Sequence, residues 1–315
     1  MGATIQTGLR DYLRLLASGK VREIYELDDT KLLFVATDRI SAYDIVMKNA
    51  IDQKGAILTQ LSDFWFNLLQ SRMPGLRTHY ISLGLPLTLQ ERLPPDMVEQ
   101  LRLRTMVVKR LRVLPIESIV RGFITGSAWS SYQKDGTVCG IPLPSGLKES
   151  QKLQRPLWTP STKAELGSKD ENISPEQAAK IIGKEYADQI KALSLNIYEE
   201  ASAYALERGI IIADTKFEFG LDESASPAAV VLLDEVLTPD SSRFWNVGTY
   251  QIGRGQESYD KQYLRDWLAQ SGLKGKQGVE MPTDISTNTL ERYKEAYYVL
   301  VGKVWDMATS EAPRS

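Results

Sequence analysis

The chain has 315 residues, 43% of them hydrophobic and 25% charged, a composition typical of a globular protein with one large or two smaller domains. Its formal net charge of −2 gives no overall positive field for nucleic acid, and its single cysteine and single histidine exclude an internal disulfide and a zinc site of Cys and His ligands. No apolar run is long enough for a membrane span or a signal peptide, so we predict a cytoplasmic protein that binds neither membrane nor nucleic acid.

The first third of the chain is predicted to form short strands. Residues 18–27 and 31–37 form a predicted hairpin with Gly19 at its start, and Lys20 and Arg22 follow at alternate positions. A glycine turn followed by cations can place backbone N–H groups and positive charge over phosphates. Glycines also begin ordinary hairpins, and both GxxxxGK[ST] and a GxGxxG after a strand are absent, so the pattern alone leaves both interpretations open.

The middle of the chain alternates strands and helices. Apolar residues at helical spacing predict a core helix over 57–70, and strands are predicted over 105–110 and 116–122. The only histidine, His79, stands in an ordinary polar segment and is expected at the surface.

A polar stretch rich in Gly, Pro, Ser and Lys then runs from residue 136 to 174. It contains Trp158, Lys163 and Glu165, and we predict a substrate-covering loop. Ser174 begins a helix with a capping box, and helical spacing continues to Arg208 with a break predicted at Gly183.

The strand predicted over residues 210–220 carries three charges on one face. Asp214, Lys216 and Glu218 occupy every second position, so their side chains point the same way. A second strand over 230–237 forms a hairpin with it and brings Asp234 close to this row. Oxygen-only ligands in an apolar setting favour Mg²⁺. The alternative is that Lys216 simply neutralises the acids on a solvated face.

Two arginines are followed or preceded by hydroxyl-rich turns. Arg121 ends a strand before a glycine-spaced loop that contains Ser127, and Arg243 follows two serines. Arginine matches phosphate and carboxylate groups, although Ser and Asp beside Pro also make ordinary turns. Helices predicted over 259–270 and 284–301 complete a mixed pattern of the α+β or α/β class.

Taken together, these segments resemble one family. The motifs come in order from Gly19 to Trp267, and they are GKVREIY, ATDRISAYD, KGAILTQLSDFWF, PIESIVRGFITGSAW, TPSTKAE, DENIS, IIADTKFEFG, DEVLTPDSSRFW and SYDKQYLRDWL. They are similar to the motifs of the SAICAR synthetases, the phosphoribosylaminoimidazole-succinocarboxamide synthases of de novo purine biosynthesis, in their stand-alone form. Glu23, where the family often has Asp, is a small departure that keeps the charge.

The resemblance implies an ATP-dependent, amide-forming ligase. L-Aspartate would be joined to the carboxylate of 5-amino-1-(5-phospho-D-ribosyl)imidazole-4-carboxylate (CAIR), giving SAICAR, ADP and phosphate through an acyl phosphate. Such catalysis depends on positioning and charge neutralisation. A small-molecule kinase and a catalytically silent nucleotide-binding module remain the alternatives, and the acids Glu218 and Asp234 count against the second.

The resemblance also implies roles for individual residues. Those expected at ATP are Gly19, Lys20, Val21, Arg22, Lys109, Arg110, Leu111, Glu218 and Asp234, the last two as ligands of Mg²⁺. Those expected at CAIR are Asp44, Arg121, Ser127 and Arg243. Asp214 and Lys216 would act catalytically beside the reacting carboxylate, and the aspartate substrate is expected near Lys163, Lys261 and Arg265.

The family's fold is two-lobed. It implies an antiparallel, kinase-like ATP lobe over residues 1–112, a larger α/β lobe with the substrate and metal site over 113–315, and ATP in the cleft between them. We further expect a monomer, because no long apolar stripe is left over for a partner.

Overall fold

A computed structural model of the chain describes residues 2–163 and 170–307. Its strands are β1 (Leu15–Ser18), β2 (Arg22–Glu26), β3 (Lys31–Ala36), β4 (Ser41–Ala42), β5 (Ile45–Val46), β6 (Tyr80–Leu83), β7 (Thr105–Lys109), β8 (Arg112–Phe123), β9 (Thr137–Val138), β10 (Ile141–Pro142), β11 (Lys152–Trp158), β12 (Ser161–Thr162), β13 (Ile210–Asp222), β14 (Ala229–Leu233) and β15 (Ser242–Asn246). Its helices are α1 (Lys54–Arg72), α2 (Leu87–Gln90), α3 (Pro95–Leu101), α4 (Gly126–Asp135), α5 (Pro175–Ile182), α6 (Lys184–Leu206), α7 (Gln262–Gln270) and α8 (Thr283–Val301).

Two antiparallel sheets organise the fold. The first has the strand order β1-β2-β3-β7-β6 and contains the predicted hairpin, in which Ile24 pairs with Phe34. The second has the order β11-β8-β13-β14, with β12 also paired to β8 and β15 to β13. Only Arg110 and Leu111 separate the last residue of β7 from the first of β8. The chain therefore passes between the sheets in a very short connection, and the predicted α+β class with antiparallel sheets is confirmed.

Helix α1 packs at the junction of the two sheets. Its buried face includes Ile57, Leu61 and Trp65, which join a core cluster with Phe34 of the first sheet and Phe217 of the second. This continuous core explains the apolar stripe that predicted the helix. Residues of the first third thus contribute to the core on both sides of the junction.

The prediction of a substrate-covering loop over residues 136–174 is wrong. Much of this segment forms strands that pair with other strands. Strands β9 and β10 form a small hairpin, and β11 and β12 extend the second sheet beside β8. Its polar side chains obscured this pairing, since edge strands carry many exposed residues. Glu165 lies outside the described residues.

The later helices follow the sequence pattern closely. Ser174 and Gln177 form the predicted capping box at the start of α5, and Gly183 separates α5 from α6. Helices α7 and α8 begin within a few residues of their predicted starts. In the described part of the chain, none of the helices has the length and apolar character needed to cross a membrane.

Candidate active site

A cleft of about 650 Å³ lies at the junction of the two sheets. That size is in the range of cavities that hold small ligands. Charged residues from both sheets line it. They are Lys20, Arg22, Asp44, Lys109, Glu117, Arg121, Lys163, Asp170, Asp214, Lys216, Glu218, Asp234, Glu235, Asp240, Arg243, Lys261 and Arg265.

The charged face of β13 forms the floor of this cleft. Asp214 pairs in register with Arg121 on β8 and with Arg243 on β15. Its Oδ2 accepts from Nη1 of Arg121 at 2.8 Å and also from Nη1 of Arg243. Burial lowers the pKa of Arg121, which nevertheless stays charged beside Asp214. Two guanidinium groups share one carboxylate, so this corner of the cleft has surplus positive charge for an anionic ligand.

Lys216 lies between two acids on neighbouring strands. Its Nζ is 2.5 Å from Oε1 of Glu117 and 3.9 Å from Oε1 of Glu218, whose other oxygen accepts from Lys163. Burial opposes the charge of Lys216, but the carboxylates of Glu117 and Glu218 outweigh it and raise its pKa. Burial likewise acts against ionised Glu218, and the ammonium groups of Lys163 and Lys216 lower its pKa overall. Lys216 is therefore a fixed cation and not a base.

Asp234 follows β14 and reaches the end of the same charged row. Its neighbour Leu233 pairs with Glu218, so the hairpin brings Asp234 close to the row, in a register that the sequence had left open. The backbone of Asp234 has a positive φ of 62°, a conformation that Asp tolerates better than most residues. Arg22 pairs with Asp234, and its Nη2 lies 3.5 Å from Oε1 of Glu235. Of the two acids predicted for Mg²⁺, Asp234 is thus neutralised by Arg22 of the opposite sheet, and Glu218 is neutralised by Lys163 and Lys216 on its own side of the cleft.

The turn between β1 and β2 forms part of the cleft wall, since Gly19, Lys20 and Val21 line the cleft. The amide of Gly19 donates to the carbonyl oxygen of Arg22 at 2.8 Å and so fixes a tight turn. Nζ of Lys20 contacts Oδ1 of Asp44 at 2.6 Å. Asp44 stands in a short loop between β4 and β5 with a φ of 65°. Predicted ATP and CAIR residues therefore meet at the mouth of the cleft.

Helix α4 points its N-terminus toward the paired arginines. Its cap residue, Thr125, makes no side-chain capping hydrogen bond. Nη2 of Arg121 donates to Oγ of Ser127 at 3.3 Å. A Cβ added to Gly126 would lie 2.5 Å from Nη2 of Arg243, so that guanidinium would have to move, and the φ of +56° also disfavours a side chain. A helix N-terminus with two arginines and a hydroxyl is suited to phosphate.

His79 contradicts its predicted surface position. It is 2% exposed, lies edge-on to Phe34 and lines the cleft. No local pattern indicates this burial, because His79 follows polar residues and precedes the edge strand β6. Burial lowers its pKa to about 3, and the positive charge of Arg22 acts in the same direction.

This burial predicts an imidazole that stays neutral. Because His79 is the only histidine, its ring protons give a unique NMR signal, and we expect no titration of that signal between pH 8 and 5. In the unfolded chain His79 is protonated near pH 6.5. The contribution of its neutral ring to the free energy of unfolding is therefore fully present above that pH and is lost as the pH falls toward 3. Relative to His79→Phe, the wild type should lose about 1 kcal/mol between pH 7 and 5.5. A midpoint near 6.5 in the folded protein would contradict the buried position.

Most of the predicted site residues lie together in the cleft. Ser127 is not among the lining residues, but its hydroxyl accepts a hydrogen bond from Arg121, which does line the cleft. Arg110 is not among the lining residues, and its Nη1 lies 3.5 Å from Glu26. Lys109 and Leu111 on either side of it do line the cleft, so Arg110 is the one residue of this predicted trio that lies outside the lining.

Four acids that line the cleft were missed as site residues, and they are Glu117, Asp170, Glu235 and Asp240. Glu117 lies opposite Glu218 in the sheet, and Glu235 contacts Arg22. Glu117 and Arg121 are four positions apart on β8 and so point to the same face, as Asp214 and Glu218 do on β13. Reading that alternation in both strands would have placed Glu117 on the charged face.

Comparisons with known proteins identify the family of this chain. The family model of SAICAR synthetase matches residues 15–282. The chain belongs to the SAICAR synthetase family. Phosphoribosylaminoimidazole-succinocarboxamide synthases of Cyberlindnera jadinii and Saccharomyces cerevisiae are 55% and 51% identical to it over 306 and 305 residues, which cover 96% and 95% of this chain and 99% and 98% of theirs.

Solved structures of SAICAR synthetases share the fold. The Saccharomyces cerevisiae enzyme in complex with SAICAR has a TM-score of 0.87 and 49% identity, covering 96% of this chain and all of that one. A SAICAR synthetase in complex with ADP has a TM-score of 0.68 and 26% identity over 93% of this chain and all of that one. The predicted family, enzyme class and ATP-dependent joining of CAIR and L-aspartate in purine biosynthesis are confirmed.

Proposed function

We propose that the SAICAR synthetase reaction of this chain takes place in the described cleft, with ATP beneath the β1–β2 turn and CAIR against the paired arginines. The observation that carries this proposal is the row Asp214, Lys216 and Glu218. It joins the surplus positive corner at Arg121 and Arg243 to the acidic corner at Asp234 along one strand face.

The ATP subsite follows from the first sheet. Gly19, Lys20 and Val21 would cover the phosphates, with Arg22 beside them. Apolar side chains of both sheets, among them Leu32 and Val113, line the cleft near Lys109 and Leu111 and would receive the adenine ring. The proposal also divides the chain into an ATP lobe over residues 1–112 and a lobe with the substrate and metal site over residues 113–315.

The CAIR subsite follows from the second sheet. Arg121, Arg243, Ser127 and the N-terminus of α4 would bind its phosphate, and Asp44 would contact its ribose side. The reacting carboxylate would then lie toward Lys216. Because the pKa of Lys216 is raised, its charge persists at neutral pH and neutralises the oxygens of the reacting groups.

The donor chemistry of the acidic corner fits Mg²⁺. Within residues 2–163 and 170–307, no group of three His, Cys, Asp or Glu side chains converges as a metal site would require. Mg²⁺ typically uses one or two protein carboxylates together with substrate phosphates, and Glu218 and Asp234 would supply these. When bound, the ion would neutralise charge on the transferring phosphate. Arg22, which now pairs with Asp234, would then turn to the phosphates, and Lys163 would be released from Glu218 to bind L-aspartate.

The chemistry proceeds in two balanced steps. A carboxylate oxygen of CAIR attacks the γ-phosphorus of ATP, ADP leaves, and an acyl phosphate forms. The amine of L-aspartate then attacks the acyl carbon, phosphate leaves, and the amine loses a proton. The cleft contributes positioning and charge neutralisation to both steps. Lys163 and Arg265, with Lys261 nearby, would bind the carboxylates of L-aspartate.

Substrate dependence tests this proposal. We expect sustained ADP release only when CAIR and L-aspartate are both present with ATP and Mg²⁺. Aspartate-independent turnover to a stable phosphorylated product would support a small-molecule kinase. Absence of turnover under all conditions would leave a nucleotide-binding module.

Cytoplasmic location and a monomeric state are further parts of the proposal, and they rest on the single cysteine and on the lack of an apolar stripe in the sequence.

A further inference from the structure

Arg39 lies behind the turn that covers the ATP subsite. Its guanidinium donates to three backbone carbonyl oxygens, from Nη2 to Gly19 at 3.0 Å, from Nε to Lys20 at 3.1 Å and from Nη1 to Ile5 at 2.5 Å. The side chain is 14% exposed and is not among the residues that line the cleft. Arg39 therefore contacts the turn from the side opposite the ligand.

These hydrogen bonds fix the direction of two peptide units. In a trans peptide the C=O and the N–H point in opposite directions, so capture of the Gly19 carbonyl directs the Lys20 amide away from Arg39. Capture of the Lys20 carbonyl does the same for the Val21 amide. The next carbonyl, that of Val21, accepts from the amide and hydroxyl of Thr37 at 2.9 and 2.8 Å.

The two amides have no protein partner in the described ranges. Among the hydrogen bonds of residues 2–163 and 170–307, neither the Lys20 amide nor the Val21 amide is a donor, and both residues line the cleft. Backbone N–H groups with a common direction form anion sites. The carbonyl oxygens, which would repel a phosphate, are all held on the other side by Thr37 and Arg39.

Arg39 is itself held in place by a buried acid. Its Nη1 lies 3.8 Å from Oε1 of Glu23, which is 1% exposed. Oε2 of Glu23 accepts from the hydroxyls of Thr7 at 2.6 Å and Tyr25 at 2.8 Å. The planar guanidinium can bind several carbonyls at once, whereas a lysine ammonium on a flexible stem cannot reproduce this geometry.

We propose that Arg39 is a positioning residue for nucleotide phosphates, because it holds the Lys20 and Val21 amides toward the cleft before the ligand arrives. The inference rests on the proposed ATP subsite. It predicts that Arg39 contributes to the affinity for the phosphates and contributes nothing to the affinity for the nucleoside. A residue that only stabilised the lobe would contribute equally to the affinity for ADP and the affinity for adenosine.

Binding of ADP and of adenosine separates these roles. Dissociation constants are measured with Mg²⁺ for wild type, Arg39→Met and Arg39→Lys. Loss of two oriented donors should weaken ADP binding by about tenfold in Arg39→Met, with adenosine binding changed by less than about twofold. Arg39→Lys should fall between the two, since it keeps the charge and one donor. If Arg39→Met does not fold, Arg39→Lys carries the comparison.

Leu89→Ala is the matched control. It removes buried methyl groups from the core cluster of the first sheet, but leaves Arg39 and its partner Glu23 intact. We expect it to lower the melting temperature and leave ADP affinity unchanged. Equal losses for ADP and adenosine, or unchanged ADP affinity in a folded Arg39 variant, would overturn the inference. Failure of the wild type to bind ADP would instead contradict the proposed function.

Discussion

Asp234→Asn is expected to lower the rate of ADP release by about a thousandfold, since removal of one preorganised electrostatic group at a transition state costs 10²–10³ or more. The substitution keeps the size of the side chain, and Asn tolerates the positive φ at this position as well as Asp does. It removes one of the two carboxylates proposed for Mg²⁺ and leaves Arg22 with Glu235 as its partner. Initial rates over a range of Mg²⁺ concentrations measure the effect.

A carboxylate at the end of β13, outside the lining of the cleft, provides the control. Asp222 accepts hydrogen bonds from Ser224 in an exposed turn, and Asp222→Asn should leave the rate unchanged. The melting temperature of Asp234→Asn should stay within a few degrees of the wild type. Near-normal turnover by a folded Asp234→Asn enzyme would show that the metal assignment is wrong.

Arg243→Ala should raise the KM for CAIR by roughly tenfold to a hundredfold and leave the KM for ATP within about twofold. The estimate follows from the loss of charge-assisted hydrogen bonds, each of which contributes about 1.5–3 kcal/mol. Arg121 still neutralises Asp214 in this variant, so the sheet keeps its buried ion pair. Steady-state kinetics with each substrate varied in turn separate the two constants.

Gly126→Ala tests the same corner without removing a charge. The added methyl group would lie 2.5 Å from Nη2 of Arg243, and the φ of +56° disfavours a side chain. We expect the same selective rise in the KM for CAIR. Equal increases in the KM for CAIR and ATP in Arg243→Ala would contradict the placement of this arginine at the CAIR phosphate.

Local patterns in the sequence predicted much of the fold. The strand alternation at Asp214, Lys216 and Glu218 survives in the structure because a β-strand turns successive side chains to opposite faces whatever surrounds it. The capping box at Ser174 and the break at Gly183 are equally local. The hairpin register that places Asp234 at Glu218 could not be derived, since it depends on the bulge and turn geometry of the strands around it.

The failures arise from contacts between distant parts of the chain. His79 is buried by Phe34 and Phe66, which no pattern near residue 79 reveals. Strands β11 and β12 are polar edge strands that, among residues 2–163 and 170–307, pair regularly with β8 alone, so their sequences resemble those of loops. Lys216 was considered as a partner of its neighbouring acids, but the pairs of Arg121 and Arg243 with Asp214 and of Arg22 with Asp234 were missed. Predicting clustered positive charge gives no account of the acids that must balance it in the absence of ligand.

Transfer of oxygen from CAIR to phosphate tests the central claim most directly. With both carboxylate oxygens of CAIR labelled as ¹⁸O, attack of the carboxylate on the γ-phosphorus carries one label into the released phosphate and leaves the other in the amide of SAICAR. Mass spectrometry should therefore find one ¹⁸O in each phosphate and one in each product amide. Unlabelled phosphate at full turnover would contradict activation of the CAIR carboxylate by ATP in this cleft.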